Sequence, residues 1–540
     1  MSNHQTSATN QTDPETRNIG NFAEALEAMR TAIGEENVLT QDLADYGDPF
    51  APPGEWYRPG AVLLPGSVED VQAILRIAND HGTPVWTSSQ GRNKGYGGGA
   101  PRVSGTFALS LRRMNKVLEV DEENCMALVE PGVRFFDLYD HLQKTGSKLW
   151  MSVPDLGAGS VVGNALEHGV GYTPIGDHFG NHCGMEVVLP DGDILRTGMG
   201  GMSNPRNWLI YPHSCGPSWD GIFSQSNFGI VTKMGISLFP APEVYAPGWF
   251  TLDNEEHFET LLDVLRPLMI DGTIPNQPMI INAVCAASAF GERKQWFDGK
   301  GAIPDEVLDR IAATPGFGRW VMRFALYGDA PVVAHNRAKV EQALAAIPGG
   351  ALMFDAFDGR NLPDFENPHH RVQAGIPSMA LDQMTRWYGG EEGGHIGFSC
   401  AMPISGKDGS TIRDLSRSVL NARGLDYSAA IIVGKRSMIH VALVVFDTKN
   451  EQQTLEAYAA TKAMLEPAAK LGYGEYRSHL DFMDEVAAIY DFNDNAQRRF
   501  AERIKDCLDP NGILSPGKQG IWPTRFRSGT RGPLEAGPAA

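Results

Sequence analysis

The chain has 540 residues and a formal net charge of −19, and it lacks an apolar run near the roughly 18 residues that a membrane-spanning helix needs. Its length favours two to four domains, and 42% hydrophobic with 21% charged residues is a globular mixture that can bury a large core. Such acidity repels phosphate backbones and anionic lipid, so we expect neither nucleic acid nor a membrane as a partner.

The six cysteines are scattered and include no C-x-x-C pair, which favours reduced thiols and a cytoplasmic protein over a disulfide framework. Residues 1–20 are polar and lack the apolar segment of a signal peptide, so a disordered tail is predicted there. A second tail is predicted over 524–540, which ends in Pro-Ala-Ala and carries no S-K-L peroxisomal signal.

The first structured part begins with clear periodic signals. A helix is predicted between Ser67 and Gly82, because apolar residues recur at i, i+3, i+4 and i+7 from Val71. The strand PVWTSS and a glycine-rich loop over 91–101 follow it. The strands TFALSL and MALVEPG and a helix over 133–144 come next.

Residues 150–200 are rich in Gly, Pro and Asp and have little periodic pattern, and so long an irregular stretch is usually functional. The strands VVLP and DILRTG lie at its end, joined by an Asp191-Gly192 turn. Pro240 and Pro242 indicate a boundary, so a first domain is predicted over 21–245.

The second part, 246–495, alternates longer helices with apolar strands. This order predicts helices packed on one face of an antiparallel sheet. The predicted helices cover 256–270, 332–347, 410–422 and 454–471, and the strands are RWVMRFALYG, GGHIGFSCAMP, SAAIIVG and HVALVVF.

The glycine-rich loop is the first candidate site. Its glycines let backbone N–H groups approach an anion, and Arg92 and Lys94 add positive charge, so the loop is predicted to bind phosphate. The alternative is a flexible surface turn, which the preceding strand and a second glycine-rich stretch, DLGAGSVVGNALEHGVGYTPIGDH, argue against. A Rossmann site is not predicted, because Pro101 and a strand follow the loop where a helix is required.

Other candidate residues carry weaker signals. His178, His182 and Cys183 could suggest a metal site, but the glycines around them disfavour a ligand-bearing helix, and no metal is expected. His395 alone would be a core histidine, and the Tyr476-Arg477 dipeptide alone could belong to a surface ion pair.

Seven motifs in order closely resemble the vanillyl-alcohol oxidase family of 4-phenol-oxidising flavoproteins, over about residues 40–523. They are GRNKGYGGGAPRVSG, EPGVRFFDLYDHL, VPDLGAGSVVGNALEHGVGYTPIGDH, CGMEVVLPDGDILRTGMG, QSNFGIVTKMGISLFP, YRSHLDFMD and DPNGILSPGKQGIW. The resemblance implies an α+β fold, with a two-subdomain FAD-binding domain of the p-cresol-methylhydroxylase type. A cap built on an antiparallel sheet covered by helices would span 246–495, and 496–523 would return to the first domain.

The resemblance also implies FAD as cofactor, with the loop at its pyrophosphate and a covalent bond from His395 to the flavin. The residues expected to bind FAD are His395, Gly91, Arg92, Asn93, Gly95, Gly97, Pro154, Gly159, Ser160, Gly163, Asn164, Gly171, Tyr172, Gly229, Ile230, Asn511 and Lys518. One departure is Ile175, which stands where the family stretch often reads YTPYGDH.

By the same resemblance, Tyr96, Tyr476 and Arg477 bind the phenol oxygen of a small substrate, and Asp155 lies beside flavin N5 as a base. The expected reaction is hydride transfer from a para-substituted phenol, such as vanillyl alcohol or eugenol, through a quinone methide.

We expect an oxidase that passes electrons to O2 and forms H2O2, in a homodimer or dimer-based oligomer. The alternative is a dehydrogenase that passes electrons to a c-type cytochrome. The p-cresol branch of the family links FAD through a tyrosine, whereas this chain offers His395, which favours the oxidase. A flavin-free binding protein on the same scaffold is the third hypothesis.

Overall fold

The computed structural model describes residues 19–52, 57–389 and 393–527. Residues 1–18 and 528–540, which make up most of the two predicted tails, lie outside the described residues. Residues 524–527, where the second tail was expected to start, form the short helix α16 (Thr524–Arg527), in which Phe526 is buried.

A four-stranded sheet forms the first subdomain, in the order β1-β2-β4-β3, with β2, β4 and β3 parallel. Its strands are β1 (Val38–Leu39), β2 (Ala61–Leu63), β3 (Val85–Ser88) and β4 (Phe107–Ser110). Two helices, α1 (Phe22–Ile33) and α2 (Val68–His81), pack on it. The predicted helix is confirmed as α2: the Ser67 hydroxyl accepts a hydrogen bond from the Asp70 N–H, and Gly82 ends the helix at a φ of 62°.

A five-stranded antiparallel sheet, in the order β5-β6-β10-β8-β9, forms the second subdomain. Its strands are β5 (Val117–Asp121), β6 (Met126–Val129), β8 (His182–Val188), β9 (Ile194–Arg196) and β10 (Ile230–Ser237), and β7 (Leu149–Trp150) pairs separately with β11 (Phe239–Pro240). The helices here are α3 (Phe135–Thr145), α4 (Val161–Leu166) and α5 (Asp220–Phe223). The predicted turn between β8 and β9 is confirmed by a 2.8 Å hydrogen bond from the Gly192 N–H to the Leu189 carbonyl.

A nine-stranded antiparallel sheet, here called the cap sheet, fills most of 244–475. Its strands are β12 (Val244–Leu252), β13 (Met279–Asn282), β14 (Trp320–Gly328), β15 (Gly350–Phe354), β16 (Phe357–Asp358), β17 (Gly393–Pro403), β18 (Ala429–Val433), β19 (Ser437–Asp447) and β20 (Gly474–Glu475). The four strands predicted from sequence are β14, β17, β18 and β19.

Four long helices cover one face of the cap sheet, as predicted: α6 (Phe258–Ile270), α9 (Ala330–Leu344), α12 (Gly406–Asn421) and α13 (Glu451–Lys470). The remaining helices are shorter or lie at the edges: α7 (Ala283–Ser288), α8 (Asp305–Ala312), α10 (Pro368–Gln373), α11 (Ala380–Met384), α14 (Met483–Ala488) and α15 (Phe492–Leu508). Each described helix is too short or too polar to cross a bilayer.

Strand alternation gives the cap sheet two different buried faces. In β17, Ile396, Phe398 and Cys400 join the core beneath the long helices, whereas His395 and Gly397 point to a cavity on the opposite face. Burying each large apolar side chain on the helical face contributes about 1.5–3 kcal/mol. The helices therefore fix which residues of each strand reach the cavity.

The C-terminal segment returns to the first subdomain. Val85 of β3 donates to the Ile513 carbonyl and accepts from the Ser515 N–H, both at 2.8 Å, so the segment adds one more pairing at the edge of the sheet. A fully buried ion pair anchors it, with Lys505 Nζ 2.7 Å from Asp509 Oδ2. Burial lowers the pKa of Lys505 to about 8, although Asp509 opposes that shift.

Replacing Asp509 with Ala should lower the free energy of unfolding by about 3–5 kcal/mol, because the Lys505 charge stays buried without its partner. The control is Asp506→Ala in the same turn of chain, which removes a half-exposed pair with Arg527 and should cost less than about 1 kcal/mol. Urea denaturation of both variants measures the difference. Equal losses would show that the buried pair does not anchor the return.

Candidate active site

A cavity of about 360 Å³ lies between the first two subdomains and the open face of the cap sheet. Its walls come from the glycine-rich loop, the stretch around α4, the cap-strand residues that face away from the long helices, residues 476–480 and the C-terminal return. Concave sites of this size between domains are the usual place for a ligand.

The glycine-rich loop forms one end of the cavity. Lys94–Tyr96 make a 3-10 turn, and Gly91, Gly97 and Gly98 adopt φ values of 63°, 96° and 63°, which side chains other than hydrogen rarely allow. The loop therefore presents its backbone to the cavity, as the phosphate-binding hypothesis requires.

Most residues predicted to bind FAD line this one cavity. They are His395, Gly91, Arg92, Asn93, Gly95, Pro154, Gly159, Ser160, Gly163, Asn164, Tyr172, Gly229, Ile230 and Lys518.

Three of the predicted residues do not line the cavity. Gly97 packs against Leu480, and Gly171 packs against Ser152 and His178. Asn511 is exposed and donates a 2.9 Å hydrogen bond to Asn79 Oδ1 on α2, so its side chain braces the helix.

Neither the unusual Ile175 nor the histidine-cysteine cluster contributes to the walls of the cavity. His178 Nδ1 lies 2.6 Å from Asn164 Oδ1, His182 pairs with Asp220, and Cys183 contacts the Trp208 carbonyl. These side chains have separate partners and do not converge on one point.

Tyr96, Tyr476 and Arg477, predicted to act together, do meet in the cavity. The Arg477 guanidinium carbon lies 5.1 Å from the centre of the Tyr96 ring and 5.5 Å from that of Tyr476. Its Nε donates to the Glu167 carbonyl at 2.9 Å, and the Tyr476 N–H donates to the Ser399 carbonyl of β17 at 3.1 Å. Loop, cap sheet and residues 476–477 thus converge here.

The electrostatics of this trio suit an anion. Arg477 Nη2 is buried and has no hydrogen-bond partner among the described residues. Burial raises the pKa of Tyr476 to about 12 against the opposing charge of Arg477, so its hydroxyl keeps its proton and can donate. A buried cation with an unused donor and a protonated tyrosine beside it would stabilise an oxyanion.

His395 projects from β17 into the cavity and is 9% exposed. Burial, helped by Lys94 and His479, lowers its pKa to about 4, so the imidazole is neutral at pH 7. Its Nδ1 is buried without a hydrogen-bond partner among the described residues. A Cβ at Gly95 would come within 2.5 Å of its Nε2, so only glycine permits this approach.

Asp155 lines the cavity too, but sequence reasoning missed its partners. Arg323 of β14 holds it through Nη2–Oδ2 and Nη1–Oδ1 contacts of 2.5 and 3.3 Å, and the guanidinium carbon lies 4.1 Å from the Tyr172 ring centre. Burial alone would raise the pKa of Asp155, but the charge and hydrogen bonds of Arg323 outweigh it and lower that pKa. Asp155 is therefore ionised in the folded protein.

Arg323 also donates from Nη1 to His369 Nδ1 at 2.7 Å. Burial and the nearby Arg323 charge lower the pKa of His369 to about 3, so this histidine is neutral and accepts. The available signal was in RWVMRFALYG, where Arg323 interrupts a buried apolar strand, since a charge there needs a buried partner.

The site has counterparts in known proteins. A family model described as FAD binding domain matches residues 59–198, and one described as FAD linked oxidases, C-terminal domain, matches residues 420–519. The flavoprotein subunit of 4-cresol dehydrogenase [hydroxylating] from Pseudomonas putida is 37% identical over 508 residues, which cover 93% of this chain and 96% of the relative.

Solved structures match over almost the whole length. A 4-ethylphenol oxidase from Gulosibacter chungangensis, in an isoeugenol complex, has a TM-score of 0.90 and 37% identity, covering 96% of this chain and all of the other. A substrate-bound p-cresol methylhydroxylase has a TM-score of 0.89 and 36% identity, covering 94% and 98%. These matches confirm the α+β class and the FAD-binding architecture expected from sequence.

Arg323→Met should lower the free energy of unfolding by about 3–5 kcal/mol, because it leaves Asp155 charged and buried. The double variant with Asp155→Asn should lose less than the sum of the two single losses, since no unpaired charge remains. Chemical denaturation of the four proteins measures the coupling. Strict additivity would mean that the two side chains do not stabilise each other.

Proposed function

We propose that this chain oxidises para-substituted phenols with O2 as electron acceptor. It belongs to the vanillyl-alcohol oxidase and p-cresol methylhydroxylase family of FAD-linked oxidoreductases. Substrates would be 4-alkylphenols, 4-allylphenols such as eugenol, and 4-hydroxybenzyl alcohols such as vanillyl alcohol. One observation carries the proposal: Arg477, Tyr96 and Tyr476 meet in the cavity, where the buried Arg477 Nη2 has no hydrogen-bond partner within the described part of the chain.

The residues fit FAD. The cavity is lined both by a glycine loop with left-handed backbone and by a neutral, buried histidine whose Nδ1 has no described partner. We propose that His395 bonds covalently to the flavin and that the loop holds the pyrophosphate. When bound, FAD would supply the two-electron acceptor for a hydride from the substrate.

The chain's own part in the reaction begins with the phenol. Phenols resemble tyrosine, with a pKa near ~10, and they release hydride readily only as phenolates. Lowering that pKa by ~3 units takes about 4 kcal/mol. The permanent charge of Arg477 and hydrogen bonds from two tyrosine hydroxyls, in a site shielded from water, can together supply a free energy of this size.

Asp155 would act at the other end of the substrate. Arg323 keeps it ionised, so it can accept a hydrogen bond, and then a proton, from water that adds to a quinone methide or from a side-chain alcohol. The ion pair with Arg323 also makes Asp155 a weaker base. In addition, the Arg323 charge offsets the charge of Asp155 close to an anionic substrate. Asp155 would therefore orient the reacting oxygen before it takes the proton.

The choice of O2 over a cytochrome rests on the proposed linkage. The p-cresol branch of the family links FAD through a tyrosine. In this chain His395 faces the cavity, whereas Tyr388, a tyrosine close to it in sequence, does not line the cavity and accepts a 2.8 Å hydrogen bond from the Asp426 N–H. The similar proteins include both a 4-ethylphenol oxidase and a hydroxylating 4-cresol dehydrogenase, so both acceptors must be tested.

The purified holoenzyme should release one H2O2 for each 4-ethylphenol, eugenol or vanillyl alcohol oxidised in air. Added cytochrome c should leave the rate unchanged. Fast turnover with cytochrome and little peroxide would replace the oxidase with the dehydrogenase alternative, and failure to oxidise any of these phenols would overturn the proposal.

Arg477→Ala should slow anaerobic flavin reduction by 4-ethylphenol by roughly 10²–10³-fold, the usual effect of removing one oxyanion-stabilising group. Arg477→Lys, which keeps the charge but loses the planar fork, should recover part of that rate. The matched test on the substrate is 1-ethyl-4-methoxybenzene, which cannot ionise and should not reduce the flavin. Reduction at a comparable rate would exclude a phenolate mechanism.

The flavin should stay with the protein after acid precipitation, and proteolysis should give a flavin-bearing peptide that contains His395. His395→Ala should release all of its FAD in acid. Gly95→Ala should also reduce covalent incorporation, because its Cβ displaces the imidazole. His370→Ala, a half-buried histidine outside the cavity, is the control and should keep the bond. Free FAD from the acid-treated wild type would contradict the linkage.

A further inference from the structure

A second cavity, of about 250 Å³, lies directly behind Asp155. Asp155, Met279 and Met384 line both this cavity and the candidate active site, so the two spaces share a wall. We call it the rear cavity. It belongs neither to the glycine loop nor to the Arg477 trio, and the proposed reaction leaves it without a use.

The rear cavity is walled mainly by apolar side chains, among them Trp249, Ile281 and Val321. Its buried charges, Asp155 and Arg323, pair with each other, and the Arg323 Nε is buried without a hydrogen-bond partner among the described residues. An apolar ligand group would therefore remove apolar surface from water here without breaking a polar contact.

Helix α11 forms the partition between the two cavities. The Leu381 N–H donates to the Asp155 carbonyl at 3.2 Å, which fixes the start of the helix against the catalytic carboxylate. Leu381 and Asp382 face the active site, whereas Ala380 and Gln383 face the rear cavity.

Two methionines complete the partition. Met279, held by Arg323 through a 3.0 Å contact to its sulfur, and Met384 lie between the spaces. Methionine side chains are unbranched and adapt to irregular neighbours, so Met384 can move aside at small cost, whereas Met279 would give up its sulfur contact with Arg323.

We propose that the rear cavity is a subsite for the distal carbons of a long apolar para substituent, an inference that rests on the proposed function. With the phenol oxygen held by Arg477, the para chain passes Asp155 and enters between the methionines. An apolar cavity of about 150 Å³ accommodates benzene, so the rear cavity has room for a chain of roughly six carbons.

Measuring the binding of 4-alkoxyphenols tests the proposed subsite without turnover. They keep the phenol but have oxygen in place of the benzylic carbon, so no benzylic hydride can leave. Calorimetry on the FAD-bound enzyme should show the dissociation constant falling roughly twofold to fourfold for each methylene from 4-ethoxyphenol to 4-hexyloxyphenol. A constant that is flat or rises with chain length would overturn the subsite.

Ala380→Phe, and the milder Ala380→Leu if the first does not fold, should fill the rear cavity. Either should abolish the gain with chain length while leaving 4-ethoxyphenol binding within twofold of wild type. The control is Ala343→Phe, at a half-buried helical alanine of α9 outside both cavities, which should keep the wild-type series.

An unchanged series in the Ala380 variants, or equal weakening of short and long ligands, would also overturn the subsite. Failure of the proposed function gives a different result: 4-ethylphenol would not reduce the flavin, whatever the chain-length series of the alkoxyphenols.

Discussion

The alternation of side chains across the cap sheet is the constraint on which the rest of the site depends. Four long helices bury one face of this sheet, so β13, β17, β18 and β19 present residues of their other face to the cavity. His395 of β17 reaches the cavity for this reason, and Arg323 of β14, on the same face of the sheet, reaches Asp155 in the cavity wall. A shift of one residue would place the Arg323 charge of β14, or the His395 imidazole of β17, beneath the helices. Apolar groups or glycine would then take their places on the other face.

Two buried arginines show how differently the same side chain can be used. Arg323 pairs with Asp155 and donates to His369, so it fixes a carboxylate and keeps it ionised, although its Nε has no hydrogen-bond partner among the described residues. Arg477 forms no salt bridge with a carboxylate among the described residues: its Nε donates to the Glu167 carbonyl, the rings of Tyr96 and Tyr476 lie beside its guanidinium, and its Nη2 has no described hydrogen-bond partner. An anion at Nη2 would supply the charged partner that Arg477 lacks among the described residues. The proposed phenolate is that anion.

Local patterns predicted much of the fold and part of the site. The helix start at Ser67, the Asp191-Gly192 turn and the strand over GGHIGFSCAMP depend on neighbouring residues, and all three were found. The partnership of Asp155 with Arg323 joins positions 168 residues apart, so it depends on how the cap docks, which no local pattern encodes. The position of Asn511 was hidden for a similar reason: its motif is present, but the return segment turns its side chain to α2 and away from the cavity.

The central claim is that this chain draws a hydride from the carbon next to the ring of a phenolate, and a deuterium label tests it most directly. The holoenzyme would be mixed without oxygen with 4-ethylphenol that carries deuterium at the benzylic carbon, and flavin bleaching would be followed by stopped flow. The account predicts that reduction is several-fold slower than with unlabelled 4-ethylphenol. Equal rates, or no bleaching with either substrate, would contradict it.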